Sequence, residues 1–487
     1  MKKPCLMRFL KFRLPLLMLL IYSFGIQAQF NIGEGHFIYS TNETTSFTDT
    51  TTLFTIKEIV IEGNRKTNSK IILRELSFEK NEQYSLNTLV KKFAKAKKQL
   101  MNTTLFHNVV VSLKGIQGDS ATVMINVKER WYIFPIPFVK LVDKSVQEWV
   151  QNQNMDLNRV KYGIKFQHKN FTGNNDKLEV HLTNGYTKQI ALRYKGLPID
   201  KDLRWSSSFS IAYGKNRDIN YATANNRHLT YKKSDQFVHT FFNSSFELSY
   251  RPAIKTKHSF GIGYNSENVT DTVFKLSPAF SFQKNKIRYP QLSYRMQYFD
   301  VDFIPYPLKG YAADVLLEKK GFTRDLNLWQ LTARSSATWP LSSKYFFNLK
   351  LAGVLKLPFK QPYITQGFIG QNNFYLQGYE DYMIDGVAGG FTKASFSRIL
   401  INTKMQMTSK KIKRLNDFPV KVYGKAFANT GYIYNLHRNT NTLNNTLLYS
   451  GGIGLDIVLC YDFIFKLEWS FNSLRQNGLY LHDRGYL

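Results

Sequence analysis

The sequence predicts a mainly β protein: a 16-stranded antiparallel transmembrane β-barrel preceded by one small α+β domain with the order β-α-α-β-β. Three observations lead to this fold class. The chain begins with an export signal, helical periodicity is confined to residues 54–130, and residues 131–487 alternate apolar and polar side chains in short segments separated by turns. Alternation of period two is typical of strands that face two environments, here lipid and a polar lumen.

The first 28 residues have the three regions of a secretory signal peptide. Five basic residues and no acidic residue precede residue 14, an apolar run continues to Ile26, and Gln27 and Ala28 follow. An apolar run of about 13 residues is too short to cross ~30 Å of hydrocarbon as a helix, which favours a cleaved signal over a retained membrane anchor. Cys5 precedes the run, which argues against a lipid-modified cysteine.

Composition agrees with export and narrows the functional classes. Aromatic residues make up 15% of the chain, and Cys5 and Cys460 are its only cysteines, so the mature chain has no internal disulfide. The net charge of +31 falls to +26 without the signal peptide. That charge suits a solvated surface or attraction to anionic lipid and lipopolysaccharide headgroups, and we expect no nucleic-acid partner for an exported protein.

Residues 29–53 are predicted to form a polar linker, and residues 54–130 the small domain. A strand stops at Gly63. A short helix follows over 67–76, with Ile71, Ile72 and Leu76 facing inward. Two further strands are predicted over 107–113 and 121–127. Between them and the first helix, Ser85 is expected to cap a second helix whose apolar residues at helical spacing are Leu86, Leu89, Val90, Phe93, Ala96 and Leu100.

Residues 131–487 form the predicted barrel. Transmembrane strands need ~9–11 residues each, and this length accommodates 16 strands with their connections. Residues 270–289 are ambiguous between an extra strand and an outer loop. Because bacterial single-chain barrels close with an even number of strands, we assign them to a loop. The alternative to a membrane barrel is a large soluble β protein.

Both regions resemble the BamA/TamA outer-membrane protein assembly superfamily, which combines POTRA domains with a 16-stranded barrel of the surface-antigen type. The POTRA match rests on Ile-x-Ile-x-Gly-Asn at 59–64, Leu-Phe-x-Asn-Val at 105–109 and Val-x-Ile-x-Val at 123–127. The barrel match rests on five motifs in the family's order, at 170–173, 300–310, 376–380, 427–431 and 450–455. The chain therefore resembles a short member with a single POTRA domain.

The resemblance implies assembly, insertion or translocation of outer-membrane proteins. It places the barrel in the outer membrane of a Gram-negative-type envelope and the POTRA domain in the periplasm. It implies unfolded outer-membrane proteins as clients, bound along an open edge of the POTRA sheet, together with periplasmic or lipoprotein partners. A gated or passive pore and a structural surface-antigen barrel that binds lipopolysaccharide are the alternatives.

The resemblance also implies a loop that folds back into the lumen. In the family an arginine at the loop tip pairs with acidic residues on neighbouring strands. This chain has Gln377 there, and the matching acidic positions are Asn429 and Ser397. We predict a neutral lock in which Gln377 and Asn429 form amide hydrogen bonds, since unpaired buried acids are costly. The predicted tip residues are Leu376, Gln377, Gly378, Tyr379 and Glu380.

The first and last barrel strands are predicted to pair poorly and to leave a lateral seam. Pro135 and Pro137 remove two backbone donors from the first strand, and proline is tolerated at strand edges rather than in fully paired strands. The short last strand carries His482, Asp483 and Arg484. In the family this seam is a lateral gate for client strands; the alternative is that the prolines only shape the exit from the POTRA domain.

Motifs of catalysis and cofactor binding are missing from the sequence. It has no His-Glu-x-x-His, no Gly-x-Ser-x-Gly and no phosphate-binding loop, and its nine histidines are scattered. We therefore predict no enzymatic activity, no catalytic residue, no cofactor and no metal site.

Overall fold

A computed structural model describes residues 52–141, 159–277, 285–323, 326–370, 374–405, 418–436, 441–459 and 463–482. The predicted signal peptide, nearly all of the predicted linker and both cysteines lie outside these ranges. Sixteen strands form one antiparallel sheet, and four others form the sheet of a small amino-terminal domain. The predicted fold class is confirmed.

The amino-terminal domain packs a four-stranded sheet against two helices. The sheet order is β2–β1–β4–β3, with β1 and β4 parallel and the other pairs antiparallel. None of the described helices is long and apolar enough to span a bilayer. In chain order the elements of the domain are β1 Leu53–Glu62, α1 Ser69–Arg74, β2 Gln83–Ser85, α2 Leu86–Asn102, β3 Phe106–Gln117 and β4 Ser120–Glu129.

Helical spacing in the sequence identified most of the buried helix residues of this domain. Ile71 and Ile72 of α1 are fully buried, as are Leu89 and Leu100 of α2. The prediction for Val90 is wrong: its side chain is 48% exposed. Val90 lies one residue after Leu89, about 100° further round the helix, and so points away from the sheet. Strand β2 was not predicted because three residues are too few to show a period of two.

The barrel region contains sixteen membrane strands and several loop elements. Strands β10 and β11 form one two-stranded ribbon outside the barrel, and β18 and β19 form another. In chain order the elements are β5 Ile133–Leu141, β6 Val160–Lys169, β7 Lys177–Gly185, β8 Thr187–Pro198, β9 Trp205–Asn216, β10 Asp218–Ala224, β11 Arg227–Lys232, β12 His239–Ala253, β13 Thr256–Val269, α3 Asp271–Leu276, β14 Lys286–Val301, β15 Gly310–Thr323, β16 Leu326–Pro340, β17 Tyr345–Leu357, α4 Tyr363–Gln366, β18 Gly367–Ile369, β19 Ile384–Asp385, β20 Ala388–Met405, β21 Phe418–Tyr434, β22 Leu447–Val458, β23 Ile464–Asn472 and β24 Asn477–His482.

The segment between β13 and β14 decides the strand count. Helix α3 follows Thr270 directly, and β14 starts at Lys286, so the described part of this segment adds no barrel strand. The assignment of the segment to a loop is therefore correct, and the predicted count of 16 strands is confirmed.

Alternating side chains give the barrel an outer and an inner surface. Along β23, Leu467 and Trp469 are 38% and 45% exposed on the outside, whereas Lys466, Glu468 and Ser470 between them are buried. Lipid solvates apolar side chains and cannot hydrogen-bond polar ones, so polar residues are confined to the lumen.

The amino-terminal domain docks on the turns at one end of the barrel. In the turn after β6, the buried Asn170 amide donates to Thr67 Oγ1 at 3.0 Å, and the Gly173 carbonyl accepts from the Asn68 N–H at 2.9 Å. The Tyr132 hydroxyl, just before β5, lies 3.1 Å from the same Thr67 oxygen. Burial at this contact raises the pKa of Tyr132 to about 12. The first barrel motif of the sequence thus serves as a docking turn.

Charged contacts reinforce the docking. Glu75, whose side chain is 2% exposed, accepts from Arg251 Nη2 of β12 at 2.9 Å. Asp300 of β14 lies 3.3 Å from Lys98 of α2 and 2.7 Å from Lys255 in the turn after β12. Glu75 also pairs with Arg74 of its own domain at 3.0 Å, and the additional charge-assisted bonds to Arg251 of the barrel favour one docked orientation.

Replacing Gly173 by Ala is predicted to loosen this docking. Gly173 has φ +92°, and an added Cβ would lie 2.4 Å from the Lys66 carbonyl oxygen. The turn must shift, at a cost of about 1–2 kcal/mol or more. We expect faster trypsin cleavage between the two domains, measured on the folded protein in detergent. Gly115→Ala, which would place its Cβ in open space on β3, is the control; equal cleavage rates for both variants would contradict the docking role.

Candidate functional site in the lumen and at the seam

The connection between β17 and β20, called the lumen loop (residues 358–387), folds back into the barrel. Its side chains Phe368, Phe374 and Leu376 are at most 5% exposed and pack with Ile433 of β21. Burial of large apolar side chains against the wall favours the folded-in position over a loop extended into solvent.

The tip of the lumen loop, residues 376–380, is bonded to β22 and β23. The buried Tyr379 hydroxyl donates to the Tyr449 carbonyl at 3.0 Å, and the Asn472 amide donates to the Gly378 carbonyl at 2.7 Å. Gly378 has φ +87°, and an added Cβ would lie 3.0 Å from a wall side chain. Glycine therefore permits both the left-handed backbone and the close approach to the wall.

Gln377 is buried at this tip, but the predicted direct bond to Asn429 is wrong. The side-chain amide of Gln377 donates to Glu468 of β23 at 2.8 Å, and the backbone carbonyl of Gln377 accepts from the Ser450 hydroxyl at 2.5 Å. Asn429 donates to the same Ser450 hydroxyl at 3.0 Å, so it supports the tip through Ser450. Ser397 is buried on β20, and no described hydrogen bond joins it to Gln377.

The predicted neutral lock is also wrong, because Glu468 provides a carboxylate at the loop tip. Glu468 is fully buried and lies 2.6 Å from Lys425 Nζ and 3.2 Å from His482 Nε2. Lys425 lies a further 2.5 Å from Asp456. A connected network of this kind offsets part of the desolvation that a single buried acid would suffer. Lysine and histidine from the wall thus take the place of a loop arginine.

Sequence reasoning missed this cluster, although one signal for it was available. Glu468 stands between Leu467 and Trp469 in an alternating run, which places it on the lumen face, where a buried carboxylate needs cations. The register that brings Lys425 and His482 to it depends on strand pairing and is not visible in local sequence.

Glu380 links the lumen loop to this cluster. Its Oε1 lies 3.2 Å from His482 Nε2, and its other oxygen accepts from the Gly378 N–H at 2.7 Å. The ligand atoms of Glu380, Glu468 and His482 lie within 4.8 Å of one another, a spacing that a metal ion could use. Because Lys425 already neutralises Glu468, ion pairing accounts for these contacts.

The prolines of the first strand lie on its free edge. The ladder order runs from β5 to β24, and within the described ranges no pairing joins these two strands. The Lys169 N–H donates to the Tyr132 carbonyl at 2.8 Å, so these residues form a hydrogen-bonded pair between the two strands. Such pairs alternate, so the backbone of Pro135 and Pro137 points away from β6. The prolines therefore remove donors from the seam edge and leave the β6 ladder intact.

The facing edge belongs to β24. The Asn472 N–H bonds to the Gln476 carbonyl at 3.0 Å, and the same alternation directs the backbone of Leu479 and Leu481 away from β23. The side chains of these two leucines are 47% and 57% exposed on the outer surface. The free edge of β24 thus combines apolar side chains with available backbone groups.

The predicted seam residues of the last strand fall into two groups. His482 ends β24 and faces the lumen, where it bonds to the loop tip and to Glu468. Asp483 and Arg484 lie outside the described residues, so their place at the seam stays a prediction.

Loops join at the barrel end opposite the amino-terminal domain. The side-chain oxygen of Asn226, in the β10–β11 turn, accepts from the N–H groups of Thr442 and Leu443, each at 3.1 Å. The Asn226 carbonyl accepts from the N–H of Met383 in the lumen loop at 3.0 Å. One asparagine therefore ties three connections into a cap over the lumen loop.

Two family models match parts of the chain, and two solved structures are similar to it. A model described as the surface antigen variable number repeat, POTRA, matches residues 54–130, and the Omp85 superfamily domain matches residues 170–460. CdiB from Escherichia coli is 9% identical with a TM-score of 0.50, over 88% of this chain and 74% of that one. BamA from Haemophilus ducreyi lacking POTRA domains 1-3 is 16% identical with a TM-score of 0.48, over 88% and 83%. No curated protein matches the chain.

Replacing Glu468 by Gln is predicted to destabilise the barrel, because Lys425 and His482 lose their shared carboxylate. Loss of one partner from a buried ion pair costs about 3–5 kcal/mol. We expect a lower unfolding temperature in detergent micelles, measured by circular dichroism and heat-dependent gel mobility. Glu179→Gln is the control, since Glu179 pairs with the half-exposed Arg193 and such pairs contribute little. Equal unfolding temperatures for the two variants would count against the cluster.

Proposed function

The chain belongs to the Omp85 superfamily, and from that premise we propose that it inserts client proteins into the outer membrane through the seam between β5 and β24. Membership supports outer-membrane protein assembly or secretion in general, by factors that are generally not enzymes. The barrel lies in the outer membrane of a Gram-negative-type envelope, and the POTRA domain lies in the periplasm. Client capture and passage through the seam are the proposal.

Strand β3 is proposed to capture the client. It is the outermost strand of the POTRA sheet over twelve residues, whereas β2 covers only three residues of β1 at the other edge. An unfolded outer-membrane protein that adds a strand to β3 would gain main-chain hydrogen bonds without any particular sequence. This mode suits a factor that must accept varied client strands.

The observation that carries the proposal is the position of Pro135 and Pro137 on the seam edge of β5. An unpaired N–H in hydrocarbon costs several kcal/mol, and proline has no N–H to leave unpaired. Two prolines therefore weaken a closed seam and reduce the cost of an open one. A residue pair that only shaped the exit from the POTRA domain would have no reason to favour the seam edge.

The lumen loop supports the last strand from inside the barrel. His482 bonds to Glu380 at 3.2 Å, and the Tyr480 hydroxyl donates to Asp381 at 3.3 Å. Together with the ladder to β23, these contacts hold β24 in place while its outer edge receives a client strand. Anionic lipid, lipopolysaccharide and periplasmic or lipoprotein partners are further proposals, the first two motivated by the net charge of the chain.

Replacing Pro135 and Pro137 together by Val is predicted to slow client insertion, because two regained donors strengthen the closed seam. The mature protein is reconstituted into liposomes, and the folding of a denatured small barrel is followed by gel mobility. We expect the parent to accelerate folding over empty liposomes. The acceleration by the double variant should be about tenfold smaller. Two regained hydrogen bonds stabilise the closed seam by roughly 1.4 kcal/mol, which corresponds to a factor of about ten.

Pro290→Val is the matched control. Pro290 lies on β14, which is hydrogen-bonded to β13 and β15 and is many strands away from the seam. Planar-bilayer conductance is recorded on the same preparation. A parent protein that accelerates nothing but conducts steadily would refute insertion and favour the pore. If the parent protein neither accelerates folding nor conducts, the result favours a structural surface-antigen barrel.

A further inference from the structure

A cavity of about 280 Å³ lies in the lumen between the loop tip and the turn after β14. Phe374, Tyr375 and Gln377 of the lumen loop line one side, and Pro305 and Tyr306 of the turn line the other. Strands β16, β17 and β20–β23 form its wall. We call this cavity the basic chamber, because of the side chains that the wall contributes.

Cations outnumber carboxylates in the basic chamber. Five cationic side chains and one carboxylate line it, and Glu468 lies next to it through its bond to Lys425. Among the lining side chains alone, five cations face one carboxylate. The charged lining residues are Arg334, Lys350, Lys393, Lys425, Lys466 and Asp456.

The strand register brings two of the lysines face to face. Lys350 of β17 and Lys393 of β20 are direct cross-strand partners. Like charges in this position repel and destabilise a sheet. Lys393 Nζ lies 3.6 Å from the centre of the Tyr375 ring and 5.1 Å from that of Phe391. Aromatic contacts of this kind favour the charged ammonium form of the lysine.

The carboxylates nearest to the chamber are bonded to other groups. Asp456 lies 2.5 Å from Lys425 and accepts from the Tyr306 hydroxyl at 2.9 Å. Glu468 lies 2.6 Å from Lys425 and 3.2 Å from His482. Both acids therefore contact Lys425, while the lining itself holds five cations and one carboxylate.

We propose that the basic chamber binds a small multivalent oxyanion of the phosphate class. Its volume is several times the ~30 Å³ that one water occupies, which is enough for one such ion with water. Lysine ammonium groups bind phosphate oxygens through charge-assisted hydrogen bonds. An anion bound by Lys350 and Lys393 would remove their repulsion and join β17 and β20 beneath the loop tip. The proposal does not depend on client insertion.

The test records the unfolding temperature of the full mature protein in detergent micelles as inorganic phosphate is added at constant ionic strength. We expect a saturable rise for the parent. K350Q/K393Q should bind phosphate at least about tenfold more weakly, as expected when charge-assisted bonds are lost. In phosphate-free buffer, this variant should unfold at a higher temperature than the parent, since the repulsion is gone. Lys393→Gln alone serves the same test should the double variant not fold.

K91Q/K114Q removes two exposed lysines from the POTRA domain and is the control with the same charge change. It should keep the parent response. A response that K350Q/K393Q retains, or a rise without saturation, overturns the proposal.

A second arm separates the two sources of phosphate groups. It compares phosphatidylcholine vesicles with and without phosphatidic acid in phosphate-free buffer. A shift caused by phosphatidic acid and lost in K350Q/K393Q identifies a lipid headgroup as the ligand, whereas a shift with inorganic phosphate alone identifies a soluble anion. If the unfolding temperature shifts in neither arm, the proposal is overturned.

Discussion

Backbone N–H and C=O groups inside hydrocarbon must find hydrogen bonds within the protein, because no water is available to replace a lost partner. The ladders from β5 to β24 meet this requirement strand by strand. Pro135 and Pro137 meet it differently, by removing donors from the seam edge of β5. The barrel therefore has one edge at which an unpaired backbone is less costly, and the proposed entry of client strands depends on that difference.

Charged side chains in the low-dielectric interior must likewise find partners within the protein. Glu468 is tolerated because Lys425 and His482 lie within bonding distance, and Glu380 of the lumen loop shares His482. One network therefore joins the loop, β23 and the last strand. The basic chamber beside this network holds more cations than carboxylates, which is the basis of the proposed anion site.

Docking of the POTRA domain links the proposed capture of a client to its proposed insertion. The turn after β6 bonds the domain to the barrel through Asn170 and Gly173, and Tyr132, just before β5, adds a further bond. The ion pair of Glu75 with Arg251 adds a second contact, on β12, away from the turn after β6. A client bound to β3 in the proposed way would be attached to a domain whose orientation relative to the barrel is set by several independent bonds.

Local periodicity in the sequence was sufficient for the barrel strands and the helix core around Leu89, since each depends on residues close together in the chain. The count of 16 came from the chain length and the even-number rule, and the place of Gln377 in the lumen loop was implied by the family resemblance. The tertiary structure decided which side of β5 the prolines face and which groups meet Gln377. Glu468 and Lys425 are 43 residues apart and meet only through strand register. Register is set by the pairing and stagger of whole strands, which no single segment specifies.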